Sequence, residues 1–144
     1  MPNKLTDDSY EITWLIRRLF RAMAQNTNDR LAKLSINVAD RAVLEFLHPD
    51  KALAVPEIAS RYQVSRQHVQ TTANELLTKK LIASKDNPRH KRSSLLQLTS
   101  KGNNLFARIR KDDNEVLQKV FAGIPRSDVA TTHKTLQTLF NNLR

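Results

Sequence analysis

The sequence predicts a mainly α-helical fold with one β-hairpin past its middle. Three observations lead there. Apolar residues recur at spacings of 3 and 4 through most of the 144 residues. Only 2 glycines are present, too few for a fold built on tight turns. Two short, partly apolar runs flank one polar, proline-containing segment in the stretch LIASKDNPRHKRSSLLQLT.

The elements follow in chain order. From Tyr10 to Ala24, the residues Ile12, Leu15, Ile16, Leu19, Phe20 and Met23 form one apolar stripe, with Arg17, Arg18 and Arg21 on the polar side. Asp7, Asp8 and Ser9 offer acceptors to the free N–H groups at its start. The polar stretch from Asn26 to Ser35 is read as the helix end and a loop. A second helix spans about Asn37 to Leu47, carrying Val38, Ala42, Val43, Phe46 and Leu47. It stops before Pro49, because a residue preceding proline avoids the helical region. Pro56 suits the first turn of a short third helix, PEIASRY, where its missing N–H costs nothing. Ser65 is a good N-cap for a fourth helix, Arg66 to Lys80, whose stripe is Val69, Ala73, Leu76 and Leu77. Strands at 81–85 and 95–99 enclose the hairpin tip, where Pro88 belongs because it cannot donate to a ladder. A long helix from Lys101 to Ala122 ends at Gly123 and Pro125, and Ser127 is the expected cap of a last helix reaching Leu143.

Charge is segregated along the chain. The formal net charge is +10, and the window from Arg61 to Lys111 holds 12 Lys and Arg against 2 acids, 12 − 2 = +10. The remainder carries 12 basic and 12 acidic residues and balances to zero. Such concentration favours a polyanion, nucleic acid first, with an anionic membrane surface or an acidic protein as the alternatives.

The order helix–helix–helix–helix–hairpin–helix–helix places a winged helix–turn–helix in the middle of the chain. In its core, Ala59 is small where two helices approach, Val64 plugs the turn and Ser65 opens the second helix. The outward residues Ser65, Arg66, Gln67, His68, Gln70, Thr71 and Asn74 can reach base edges and phosphates, Arg suiting guanine and Gln or Asn suiting adenine. On the hairpin, Lys85, Arg89, His90, Lys91 and Arg92 suit a minor groove and its phosphates. Read blandly, the same residues are a solvated helix and a basic loop.

Other chemistries are poorly served. Without Cys there is no thiol redox chemistry, Cys nucleophile or Cys-ligated zinc. His48, His68, His90 and His133 lack ligand spacing, so no metal is expected and no cofactor either. The pairs Asp7/Asp8 and Asp112/Asp113 point to different sides of a helix, and no G-x-S-x-G, H-E-x-x-H or P-loop pattern occurs, so the chain is not read as an enzyme. No run of about 18 apolar residues could span a membrane. The stretch MPNKLTDDSYEITW lacks a secretory apolar core, and a cytoplasmic location is expected.

The segments VSRQHVQTTANELLTKKLI, DNPRHKRSS and LLQLTSKG resemble the MarR (multiple antibiotic resistance regulator) family of bacterial transcriptional regulators. The last looks like the family's strand followed by Leu-Thr-x-x-Gly, here Leu98, Thr99 and Gly102. The resemblance covers nearly the whole chain and implies a single domain over 1–144, with a DNA-binding lobe at 36–99 and dimerisation helices at 8–26 and 101–144. It implies an obligate homodimer whose recognition helices, Arg66 to Lys80, bind halves of a pseudo-palindromic operator, with Arg92 as the wing arginine. The function implied is sequence-specific regulation of transcription, as a repressor. Ile12, Leu15, Leu136, Leu139, Phe140 and Leu143 are the candidate dimer contacts. Relatives bind small aromatic or phenolic anions, and Trp14, Arg17, Arg18 and Arg41 are the candidate residues for such an effector; Trp14 also reads as a core residue. The chain departs from the family at His90, where an Asp is common, and at Gln63 and Lys80, where Gly is common. The two glycines usually relieve a left-handed backbone, so either the backbone differs here or a cost of about 1 kcal/mol is accepted at each. A non-specific architectural or RNA-binding protein, and a helical antirepressor-like protein partner, remain the rival readings.

Overall fold

A computed structural model describes residues 7–144. Residues 1–6, part of the stretch MPNKLTDDSYEITW and of the 1–144 domain reading, lie outside the described residues, as does the Asp7 side chain. The chain divides into two compact units, with the boundary after Ala107.

The first unit begins with helix α1, Asp7–Ala32, followed by α2, Val38–Leu47. Thus α1 runs eight residues past the expected end at Ala24, through the stretch read as a loop. The reason is local: Gln25 Nε2 donates to Asp29 Oδ1 and Arg30 Nε to Asn26 Oδ1, each at 2.9 Å, so polar i,i+4 pairs replace the apolar stripe. Asp8 and Ser9 lie within α1 and not before it. A capping box opens α2: Asn37 Oδ1 accepts from Asp40 N at 2.8 Å, and Asp40 Oδ2 accepts from Asn37 N at 3.0 Å. Val43, Leu44 and Leu47 of α2 are buried, each stabilising the fold by roughly 1.5–3 kcal/mol. Val38 stays exposed.

Next come strand β1 (Leu53–Ala54), helix α3 (Val55–Tyr62) and helix α4 (Arg66–Thr78). Strands β2 (Ile82–Lys85) and β3 (Leu95–Leu98) form the expected hairpin, with Ile82 opposite Leu98 and Lys85 opposite Leu95. The sheet has a third strand that periodicity could not show: β1 pairs antiparallel to β3, Leu53 opposite Leu96, leaving β3 in the centre. A two-residue strand has no alternation to read. Helix α5, Ser100–Val120, enters this unit with its first residues. Buried Leu31, Ile36, Ile58, Val69, Leu76, Leu81, Ile82, Leu96 and Phe106 complete the core.

Helices α1, α3 and α4 end alike. Ser35, Gln63 and Lys80 have φ of 60°, 59° and 59°, and none is glycine. After each, an amide donates back five residues: Ile36 to Leu31 O at 3.2 Å, Val64 to Ala59 O at 3.1 Å and Leu81 to Leu76 O at 3.0 Å. At Ser35 and Lys80 this is the Schellman closure; at Gln63 its own amide and that of Val64 both donate to Ala59 O. The open question at Gln63 and Lys80 is thereby answered: the backbone is left-handed and the cost is accepted.

In the second unit, Arg108 to Arg144, the later turns of α5 lead through a turn at Gly123, φ 79°, into α6, Arg126–Leu143. Ser127 is not the cap. Pro125 holds that position without a side-chain hydrogen bond, and Ser127 lies in the first turn, because proline's fixed φ already suits the entry.

Candidate nucleic-acid interface

The site is built on α4. Gln63 turns the chain out of α3, its amide bonding to Ala59 O, and Ala59 is buried where a larger side chain would intrude. Two residues later Ser65 is extended, and its Oγ accepts from His68 N at 3.0 Å, which starts α4. Val69, Thr72, Ala73 and Leu76 are the buried stripe; Leu77 is half-buried. Thr72 satisfies its hydroxyl on His68 O at 3.2 Å. That leaves Arg66, Gln67, His68, Gln70, Thr71 and Asn74 exposed, as expected.

The far end of α4 rests on a seat of polar contacts. Thr99 Oγ1 donates to Lys80 O at 2.7 Å and accepts from Gly102 N at 3.1 Å, so one hydroxyl joins the recognition-helix exit to the start of α5. Lys101 Nζ donates to Lys79 O at 3.0 Å. Any Cβ at Gly102 would collide with the Leu81 carbonyl. The Leu-Thr-x-x-Gly pattern therefore has a physical meaning: Thr binds the exit of α4, and Gly lets α5 approach it.

Electrostatics set the other end. Arg66 is the first residue of α4, and the first turn holds no acid. A cation there adds to the positive end of the helix dipole, which costs helix stability and attracts an anion. Arg66, Gln67 and Gln70 line a cleft of about 510 Å³ together with Arg92 of the wing. The sequence did not single out Ser84, Ser93 and Ser94, which join them. The dipeptide Ser93-Ser94 directly after Arg92 was the available signal. Arg66 also borders a second cleft of about 670 Å³ with Arg89 and His90. One acid, Glu57, lies there, with its Oε1 accepting from Ala54 N at 3.3 Å. The wing tip is shaped by Asn87 Oδ1, which accepts from Arg89 N at 3.0 Å. Lys85, Lys91, His68, Thr71 and Asn74 are exposed outside both clefts, the His68 ring 6.4 Å from that of Tyr62.

The other candidate residues lie elsewhere. Trp14 is 49% exposed, so it is not core, and Arg17 and Arg18 are exposed beside it on α1. Arg41 is half-buried on α2, and neither cleft includes any of the four. Ile12, Leu15, Leu136, Leu139, Phe140 and Leu143 are all exposed. Among the described residues no group of three His, Asp or Glu could hold a metal ion, and no helix is long and apolar enough to cross a membrane.

Known proteins share this arrangement. The MarR family sequence model matches residues 34–93, which include α3, α4 and the wing as far as Ser93. The Mycobacterium tuberculosis protein Rv2011c is 30% identical over 98% of this chain and 93% of its own length. The crystal structure of the MarR family transcription regulator SP03579 superposes with a TM-score of 0.88 at 25% identity, covering 96% of this chain and 91% of that one. The chain belongs to the MarR family. It is thus a DNA-binding transcription regulator of winged-helix architecture. Streptococcus pneumoniae FabT, solved in complex with DNA, shares the MarR fold at a TM-score of 0.81 and 18% identity, over 93% of this chain and 96% of FabT.

Proposed function

We propose that this MarR-family chain is a homodimeric, cytoplasmic repressor that acts by binding and not by catalysis. Each α4 enters the major groove of one half of a pseudo-palindromic operator, and each wing contacts the adjoining minor groove and phosphates. The observation that carries this reading is the convergence of Arg66, Gln67 and Gln70 with Arg92 on one cleft. The recognition helix and the wing can then grip one stretch of duplex, with Lys85, Arg89, His90 and Lys91 extending the contact and Ser65 and Thr71 framing it.

Dimerisation is supported by apolar surface left bare in each unit. Tyr10, Trp14, Leu15, Leu19, Phe20 and Met23 of α1 are 49–71% exposed. No residue of α6 is buried, and Leu143 is 89% exposed. Exposed patches on this scale mark interaction sites in soluble proteins, and a second copy offers the same two stripes in return. The proposed dimerisation helices are 8–26 and 101–144.

The experiment is footprinting and salt-titrated binding on the DNA upstream of the chain's own coding region. With six to ten phosphates contacted, affinity falls about 10³–10⁵-fold between 50 and 200 mM salt. A two-fold symmetric footprint with that slope supports the reading. A footprint without symmetry favours an architectural protein, and no retention of duplex at low salt favours a protein-binding role; either overturns it. Relief by a small aromatic anion at Trp14, Arg17, Arg18 and Arg41 is the remaining part of the proposal. Arg17 and Arg18 lie three and four residues beyond Trp14, on its side of the helix. Trp14 is the only tryptophan, so its fluorescence during a salicylate titration reports on that surface alone.

A further inference from the structure

We infer that Gln70 and Asn74 read one operator base as a unit, Asn74 acting as a positioning residue that ties the orientation of the Gln70 amide to its own, in an arrangement that suits adenine. This rests on the proposal that α4 lies in the major groove. Gln70 Nε2 donates to Asn74 Oδ1 at 2.9 Å across one helical turn, and both residues are exposed opposite the stripe of Val69, Ala73 and Leu76. Gln70 also lines the cleft shared with Arg66 and Arg92.

A carboxamide presents a carbonyl and an NH2 of nearly equal size. A free Gln can therefore turn either end to a base, and it discriminates poorly. Here one Gln70 N–H is committed to Asn74. Turning Gln70 alone would set its carbonyl against that of Asn74, two acceptors without a proton between them. The two amides turn together or not at all. In the arrangement seen, Gln70 Oε1 stays open to accept from an exocyclic amine, and its second N–H remains for a ring nitrogen. Adenine offers that pair, N6–H and N7, on its major-groove edge; guanine offers two acceptors. Neighbouring hydroxyls do not compete for Gln70: Thr71 Oγ1 donates to Gln67 O and Thr78 Oγ1 to Asn74 O, both at 3.0 Å.

The test is selection of preferred duplexes from a library with the full-length protein, followed by competition binding for each base at each position. Gln70→Ala should abolish adenine preference at one position per half-site, a loss of about 5- to 150-fold in discrimination. Asn74→Ala should lower adenine preference at that position by about threefold or more, measured against the variant's own affinity for random duplex. In Gln70→Ala the further change Asn74→Ala should alter nothing at that position. Asn74→Asp, which keeps an acceptor for Gln70 Nε2, should retain the adenine preference while weakening all binding through its charge. If Asn74→Ala leaves the Gln70-dependent preference intact, or the two effects add, the unit does not exist although α4 still reads DNA. If the wild-type chain enriches no motif, both this inference and the major-groove reading fail. Both side chains are exposed and alanine favours helix, so the variants fold.

Discussion

Lys79, just beyond the last turn of α4, ties the exit of the recognition helix to the turn between α1 and α2. Its Nζ donates to Ser35 O at 2.6 Å and stands 4.0 Å from Asp40 Oδ2. Asp40 is 1% exposed, and no hydrogen bond reaches its Oδ1. Lys79→Met keeps the stem and removes the charge. Removing one partner from a fully buried ion pair costs about 3–5 kcal/mol. The Lys79 side chain is 39% exposed and the separation is at the outer limit of an ion pair, so screening reduces that part to about 1 kcal/mol. The charge-assisted hydrogen bond to Ser35 adds about 1.5–3 kcal/mol. Water reaches the exposed Ser35 and replaces some of the lost donor, so the expected total is about 2 kcal/mol. Urea unfolding at fixed protein concentration measures it, the concentration being held because association shifts apparent stability. Asp40→Asn in a double-mutant cycle with Lys79→Met should give a coupling near 1 kcal/mol, because the neutral amide no longer needs the cation. A loss below about 0.5 kcal/mol for Lys79→Met, or strict additivity in the cycle, would refute the reasoning.

Three further changes probe other parts of the architecture. Lys80→Gly should stabilise the chain by about 1 kcal/mol in the same urea assay, since glycine adopts φ 59° without strain; no gain would mean that the Lys80 side chain contributes something the cap geometry does not explain. Gly102→Ala should destabilise by about 2 kcal/mol or more even though alanine favours helix, because the Leu81 carbonyl blocks its Cβ; unchanged thermal unfolding would show that α5 can move away. Leu139→Arg, on the bare face of α6, should shift sedimentation toward single protomers at micromolar concentration, and a persistent dimer would place the interface elsewhere.

Strong periodicity made the helices legible. The stripe of α4, the cap at Ser65 and the hairpin around Pro88 stand where residue spacing puts them. The misreadings came where another interaction replaces the apolar signal. The last turns of α1 are held by Gln25–Asp29 and Asn26–Arg30, polar pairs that look like loop composition. The first strand is two residues long and exists through its partner, Leu96 against Leu53. At α6, proline geometry takes the place of the serine cap.

The site was legible as residue types, but its assembly was not. Arg66 and Arg92 are 26 positions apart, and only the antiparallel return of β3 brings the wing base beside the start of α4. The same return carries Thr99 onto the Lys80 carbonyl, so the hairpin that presents Arg92 also anchors the helix that presents Arg66. The strand that follows the wing and the helix that carries Arg66 are thereby joined by a polar contact, Thr99 to Lys80, and not through apolar packing alone. That explains why left-handed residues at Gln63 and Lys80 are tolerated. Each cap directs α4 at one end, and a cost of about 1 kcal/mol is small beside the burial of Val69, Ala73 and Leu76, which only that direction permits.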